Sequence, residues 1–315
     1  MSLPLIAVIA TAGGNPRLRD TLRSLAACER PESYRKTILV ENGKPAGAEA
    51  VVAEVNAEHP GFACEYLYSE RANKSSALNA CLETLNENCL LFLSDDDIEF
   101  DPGILQAYAS AAEGSENGVA YGGPVRVRTT GEVPPELRYS LPPSATGFPL
   151  GEYSDDQDFL GANWAVSRDD LNAAGGFDPR FGPGSPLTAT GQESEMMRQL
   201  RRLGCEFRYV PEAVIWHHFD ASGYTTDFLG RRKYRNGVEH GIRMRLRYTE
   251  GESLRWQQDL RKSRLYTLLL PLAIPFARLL APKEKHARMV AALNAARGRL
   301  TGWHSTRAAE TTTTR

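Results

Sequence analysis

The chain has 315 residues, 42% of them hydrophobic, long enough for one large domain plus an extension or for two modest domains around sizeable cores. Its five cysteines (Cys28, Cys64, Cys81, Cys89 and Cys205) are odd in number and show no CxxC spacing, which argues against a disulfide framework and a zinc site and suits reduced, cytosolic thiols. The net charge of −2 conceals an asymmetry: residues 1–227 carry 18 Lys and Arg against 33 Asp and Glu, while residues 228–315 carry 19 against 6.

The apolar start, Leu3 to Ala12, has no basic flank of the kind a secretory signal needs and runs into Gly13-Gly14, so it reads as a first strand. Further strand signals lie at Thr37 to Val40, Cys64 to Tyr68 and Leu90 to Leu93, alternating with helix signals at Arg17 to Ala27, Ala48 to Glu58 and Ser75 to Leu85. That alternation predicts an α/β domain with a largely parallel sheet. Ligands of such sheets bind beyond the carboxyl ends of the strands, which here carry Thr11, Glu41-Asn42, Ser69 and Asp95-Asp96-Asp97. Asp101-Pro102 opens a helix over Ile104 to Ala112. The stretch Val119 to Tyr153, rich in Gly, Pro and Thr, is expected to be a mobile loop region with one strand at Val125 to Arg128. Order resumes through Phe159 to Ser167, a helix over Glu193 to Leu203 and strand signals within Phe207 to His217, and Thr311 to Thr314 reads as a disordered end.

The three aspartates follow a buried-strand run, Cys89 to Leu93, and a single Ser94. Acids crowded at a sheet rim repel unless a cation joins them. With strand geometry maintained, Asp95 and Asp97 would share one side, suiting a hard divalent ion, Mg²⁺ or Mn²⁺, and Asp96 would face the other. An exposed acidic loop is the alternative. Lys74 beside the amides of the helix start at Asn73 to Asn79 could meet a phosphate, or could be a solvated surface lysine. Glu41 could accept from a ribose or base, or simply occupy a surface turn. Glu193 could take a proton from a hydroxyl nucleophile near a helix start, or close a capping box with Thr190. His217 could ligate a metal, or be exposed or hydrogen-bonded.

Taken in order, Val40-Glu41-Asn42-Gly43, Asn73 to Asn79, Asp95-Asp96-Asp97-Ile98, Gly161-Ala162-Asn163-Trp164-Ala165-Val166, Gly175-Gly176-Phe177-Asp178, Gln192-Glu193-Ser194-Glu195 and Trp216-His217 resemble the inverting glycosyltransferases of family 2. The likeness spans about residues 3 to 220. It implies a GT-A (Rossmann-like) fold, a mixed, mainly parallel sheet flanked by helices, with a C-terminal helical extension. It implies Asp95, Asp97 and His217 as the metal set, Asp96 and Glu41 as nucleotide contacts, and Glu193 as general base, Glu195 being the reserve; Thr11 and Asp95, at strand ends, and Lys74, at the helix start, are expected in the same donor site. The chain departs from the family pattern in having Glu41 where Asp is usual and Gln192-Glu193 where Glu-Asp is commoner. The reaction implied is metal-dependent transfer of a sugar from a nucleotide-sugar to an acceptor hydroxyl on a saccharide or lipid-linked molecule, in cell-envelope or extracellular polysaccharide synthesis. A sugar nucleotidyltransferase, faintly suggested by Ala12-Gly13-Gly14 and Arg17-Leu18, and a noncatalytic sugar-nucleotide-binding module are the competing readings.

The expected organisation is a catalytic domain over residues 1–227 and a basic, amphipathic extension over 228–315. Arg231-Arg232-Lys233, Arg235, Arg243, Arg245 and Arg247 interleave with Tyr234, Ile242, Met244 and Leu246. Leu265 to Ala281 is apolar but holds Pro271, Pro275 and Arg278, too short and interrupted for a spanning helix of roughly 20 residues. A peripheral position on the anionic inner face of the cell membrane fits this pattern, in an otherwise cytoplasmic protein. Helices packed back on the domain are the alternative, and nucleic acid is disfavoured by the acidic first part of the chain.

Overall fold

The computed structural model describes residues 3–115, 117–149, 152–154, 157–249 and 254–312. Leu5–Thr11 (β1), Leu18–Ala26 (α1), Tyr34–Asn42 (β2), Ala48–Glu58 (α2), Cys64–Ser69 (β3), Lys74–Thr84 (α3) and Leu90–Ser94 (β4) alternate as the hydrophobic pattern requires. Each begins and ends within a few residues of its expected bounds. Every residue of β1 and β4 is buried, as continuous apolar runs covered on both faces must be. On α1 the buried positions Leu18, Thr21, Leu22 and Leu25 recur at helical spacing, and the outer Arg19 and Arg23 pair with Glu54 and Glu58 of α2.

The chain continues through Ile98–Phe100 (β5), Ile104–Ala111 (α4), Val119–Gly122 (β6), Val125–Thr130 (β7), Pro143–Thr146 (α5), Trp164–Ser167 (β8), Arg168–Ala173 (α6), Gln192–Arg202 (α7), Glu206–Tyr209 (β9) and Ile215–Asp220 (β10). A seven-stranded sheet has the order β3-β2-β1-β4-β8-β6-β9, and a three-stranded sheet the order β5-β10-β7. Strand β8 runs antiparallel to both β4 and β6, while β1, β2, β3 and β4 are mutually parallel, as are β6 and β9. This is the mixed, mainly parallel sheet expected.

The stretch Val119 to Tyr153 departs from its expected loop character. Besides the expected strand, which is β7, it supplies β6, a 3₁₀ turn at Pro135–Ser140 and the short α5. Its glycines serve close packing: a Cβ on Gly122 would stand 2.1 Å from the Phe159 ring, and one on Gly123 2.0 Å from the Ala213 carbonyl oxygen. Leu150, Gly151, Asp155 and Asp156 lie outside the described residues, as do Thr313 and Thr314 of the tail.

Two compact units emerge, one of residues 1–129, 142–179 and 192–219, the other of 130–141, 180–191 and 220–315. The second unit therefore recruits two earlier segments besides the C-terminal chain. Its helices are Thr226–Thr249 (α8), Leu254–Leu280 (α9) and Lys283–Thr312 (α10). Helices α8 and α10 run parallel in backbone contact: a Cβ on Gly298 would lie 2.0 Å from the Tyr234 carbonyl oxygen, and one on Gly302 2.1 Å from that of Val238. Gly237 and Gly241 of α8 do the same opposite Ala295 and Arg299. Small residues four apart on both helices let the two backbones touch.

In the first unit the two sheets are tied by Asn163, which is fully buried. Its Nδ2 donates to the carbonyls of Pro124 (3.0 Å) and Ala213 (2.7 Å), and its Oδ1 accepts from the Tyr108 hydroxyl at 2.8 Å. Asn163→Asp turns a double donor into an acceptor facing two carbonyl oxygens, a loss of about 3 kcal/mol. A thermal melt of the variant should show a midpoint lower by roughly 6–12 °C; an unchanged midpoint would remove this residue from the scaffold.

Candidate active site

Strand β4 ends at Ser94, and the chain turns through Asp96 and Asp97 before β5 begins at Ile98. Strand alternation therefore does not decide where the three carboxylates go. Each has its own partner. Asp95 is ion-paired with Lys74, the first residue of α3. Asp96 accepts from the Thr11 hydroxyl and from Asn15 Nδ2 (2.8 Å), and its carbonyl accepts from Thr21 Oγ1 at 3.1 Å. Asp97 Oδ2 stands 3.6 Å from His217 Nε2.

The last contact joins residues far apart in sequence through a sheet register. Strand β5 pairs antiparallel with β10, matching Ile98 to His217, Glu99 to Trp216 and Phe100 to Ile215. His217 thus lies beside the residue that follows Asp97. On the next residue of β10, His218 Nε2 is 3.3 Å from Glu99 Oε2.

Burial disfavours both charges of the Asp97–His217 pair, yet each stabilises the other. Asp97 is held below the usual carboxylate value and His217 above the usual imidazole value. Burial likewise pulls the Lys74 ammonium down, but Asp95, then Glu193, outweigh it and hold the amine above its ordinary value. Asp96 is pushed up, first by burial, with Asp97 and Asp95 adding to it against the hydrogen bonds from Thr11 and Asn15.

Glu193, on the first turn of α7, packs over Gly161, where a Cβ would meet its Cγ at 2.8 Å. It lines a recess with Lys74, Ser94, Trp164 and Phe177. The Thr190 hydroxyl donates to Glu239. Glu195 is different from its expected place near the mouth. It is buried, bonded to Arg198 through both oxygens and to Gln199 Nε2 at 3.0 Å.

Glu41 is also buried, accepting from the Ala46 amide (2.7 Å) and the Tyr66 hydroxyl (2.6 Å). Burial and this bond to Glu41 drive the Tyr66 phenol well above its ordinary value. Thr11 is buried as well, taking the Gly13 amide at 3.0 Å on its hydroxyl. The structure therefore brings Lys74, Asp95, Asp97, His217 and Glu193 around one rim. It sets Thr11, Asp96 and Glu41 beneath, where they shape the loop after β1. Asn15 was not singled out from sequence, although an Asn before a Pro right after a glycine turn signals side-chain-to-backbone bonding; its Oδ1 takes the Arg17 amide at 3.0 Å. Tyr66, on a half-exposed strand, gave no signal.

Asp97 and His217 offer one carboxylate and one imidazole at a separation wider than a hydrogen bond and compatible with two ligands of one divalent ion. Among the described residues no ready-made cluster of three or more His, Cys, Asp or Glu exists, and Asp95 is engaged by Lys74. Two protein ligands suit an ion that completes its shell with substrate phosphates and water.

The description Glycosyltransferase like family 2 matches residues 4–237. The chain belongs to this family. The glycosyltransferase is 27% identical, over 72% of its length and 71% of the relative's, to the succinoglycan biosynthesis protein ExoM of Rhizobium meliloti (strain 1021). Its fold resembles that of the mannosyltransferase PcManGT from Pyrobaculum calidifontis, solved in complex with GDP-Man and Mn²⁺, at a TM-score of 0.57 and 18% identity, covering 94% of this chain and 86% of that one. It also resembles GalNAc-T7, solved with UDP, GalNAc and Mn²⁺, at a TM-score of 0.51 and 14% identity, covering 81% of this chain and 52% of that one. The GT-A architecture is thereby established. Glycosyl transfer takes the place of the nucleotidyltransferase and binding-module alternatives.

Because the folded-state value of Asp96 is raised, its ionised form costs stability above that value, and the cost disappears below the ordinary carboxylate value near about 3.9. Asp96→Asn should therefore match or exceed the parent in thermal midpoint at pH 8. The difference should shrink steadily as the pH is lowered toward 4. A variant much less stable at pH 8 would mean that the bonds from Thr11 and Asn15 outweigh the burial cost.

Proposed function

We propose that this glycosyltransferase moves a sugar from a nucleotide-sugar to an acceptor hydroxyl with inversion at the anomeric carbon, using Mg²⁺ or Mn²⁺. The observation that carries this reading is the meeting of Asp97 and His217 at the end of the central sheet, with Lys74 and Glu193 on the same rim. Asp97 and His217 would hold the ion, with Asp95 free to join once released from Lys74. The bound ion would supply charge neutralisation for the departing diphosphate.

The chain's own groups account for the remaining roles. Lys74 Nζ, released from Asp95, is a cation within reach of anionic donor oxygens. The α3 start beside it is already capped, since Asn73 Oδ1 accepts from the Ser76 amide at 2.8 Å, so the lysine rather than that amide is the donor to a phosphate. Glu193 lies close to Lys74 on this rim, and a carboxylate there is a group that takes a proton from an attacking hydroxyl. Glu195, locked to Arg198, is assigned to holding α7 in place. Attack from the face opposite the leaving diphosphate gives inversion without a covalent intermediate. Thr11 and Glu41 serve the nucleotide side by fixing the loop after β1, and the half-buried Asp96 both fixes that loop and meets the nucleotide.

The relative named for succinoglycan biosynthesis supports an acceptor in polysaccharide synthesis; our reading is a saccharide or lipid-linked saccharide met on the cytoplasmic side. Both solved neighbours carry Mn²⁺ with a nucleotide or nucleotide-sugar, which supports the same ligands here.

Screening nucleotide-sugars by thermal shift with Mn²⁺ or Mg²⁺ identifies the donor, and Glu193→Gln then tests the base. Transfer should fall by at least about 100-fold while donor affinity stays within about two-fold, since the lost group acts on the acceptor proton. Loss of donor binding instead would reassign Glu193 to structure. Glu195→Gln should show the reverse pattern, a lower thermal midpoint with transfer retained below it. Asp97→Asn should abolish metal-dependent donor binding in calorimetry; unchanged metal affinity would remove Asp97 from the ligand set.

A further inference from the structure

Helix α9 is continuous through Pro271 and Pro275, so the apolar segment is longer than its prolines suggest. Trp256–Leu280 is long and apolar enough to cross a membrane, and only 11% of its apolar window is buried. Leu268, Leu269, Leu272, Phe276, Leu279 and Leu280 are each 49–84% exposed. Their spacing places them on a single helical face. A contiguous exposed stripe of this kind marks an interaction surface.

The charges around the stripe identify its occupant. Arg261, Lys262 and Arg264 precede it, Lys283, Lys285 and Arg288 follow it, and all are exposed. Between residues 261 and 288 the sole acid is Glu284, which is paired with Arg288. A second copy laid against the stripe in either direction would bring basic end to basic end, a repulsive arrangement. An anionic lipid surface satisfies both parts, apolar face toward acyl chains and cationic ends at the phosphates.

The neighbouring helix decides between spanning and lying. Ala281-Pro282 is the whole connection to α10, which returns along α9 and bonds it through Arg299 and Ser263 Oγ at 2.8 Å. A spanning α9 would draw α10 with it and place His286, Arg288 and Asn294 of α10 within hydrocarbon, a cost that a helix lying at the surface avoids. We infer that the α9 stripe docks onto and dips into the surface of an anionic bilayer without crossing it. The inference rests on the second unit alone and is independent of the donor and base assignments.

The test is co-sedimentation of the full chain with vesicles of phosphatidylcholine alone or with about 30% phosphatidylglycerol. The protein should pellet at least about ten-fold more with the anionic vesicles, less so at high salt, and alkaline carbonate should release it. The combined Leu268→Asp, Leu272→Asp and Phe276→Asp variant should stay in the supernatant with its thermal midpoint retained. Should that variant melt early, Arg261→Glu, Lys262→Glu and Arg264→Glu carry the test by abolishing the preference for anionic lipid. The inference is overturned if the intact chain ignores both vesicle types, if the variants bind like the parent, or if carbonate fails to release it, which would indicate spanning. A dimer broken by the aspartates, from a parent that ignores vesicles, would assign the stripe to a second copy.

Discussion

The pairing of β5 with β10 is the constraint on which the site depends. The acids sit at the end of a strand dictated by its own hydrophobicity, but their imidazole partner comes from more than a hundred residues later. A two-residue slip of that ladder would carry His217 about 7 Å along the strand and out of reach of Asp97. Several features guard the register. Ile98, Phe100 and Ile215 are buried, so a one-residue slip would turn apolar side chains outward. Arg126 and Arg128 of β7 lie over the Trp216 ring, at 5.3 and 4.4 Å, and Arg128 also reaches Glu99 of β5 at 2.9 Å. Asn163 fastens the ends of this small sheet to the large one.

Around that ladder the residues divide by depth. Thr11, Glu41 and Asp96 spend their polar groups on one another's surroundings, and Asn42 adds a bond from its Nδ2 to the Thr11 carbonyl at 2.6 Å. A Cβ on Gly13 would lie 2.4 Å from Glu41 Oε1, so the loop after β1 closes directly over this carboxylate. The longer side chain found at position 41, where the family more often has Asp, is thus accommodated by the glycine turn above it. Lys74, Asp97, His217 and Glu193 remain at the rim, where a substrate can meet them.

The alternating core was legible because β1, β2 and β4 are covered on both sides, and burial leaves an unmistakable apolar run. The region from Val119 to Tyr153 was not, because its glycines and prolines read as turns whereas Gly122 and Gly123 exist to admit Phe159 and Ala213. The rim residues were found through motif order, which carries long-range information that periodicity lacks. Their individual partners were beyond it: the turn at Asp96 and Asp97 replaces strand alternation, and Glu195 is drawn inward by Arg198 rather than left at the mouth. The glycines of α8 and α10 were visible as two pairs four apart, Gly237 with Gly241 and Gly298 with Gly302, and only the parallel approach of the helices gives those pairs a meaning.

Lys74 answers Asp95 and His217 answers Asp97, so the chain brings its own cations to the place where its carboxylates crowd. The charge of the acidic rim is therefore balanced within the fold itself, by residues that arrive from α3 and β10.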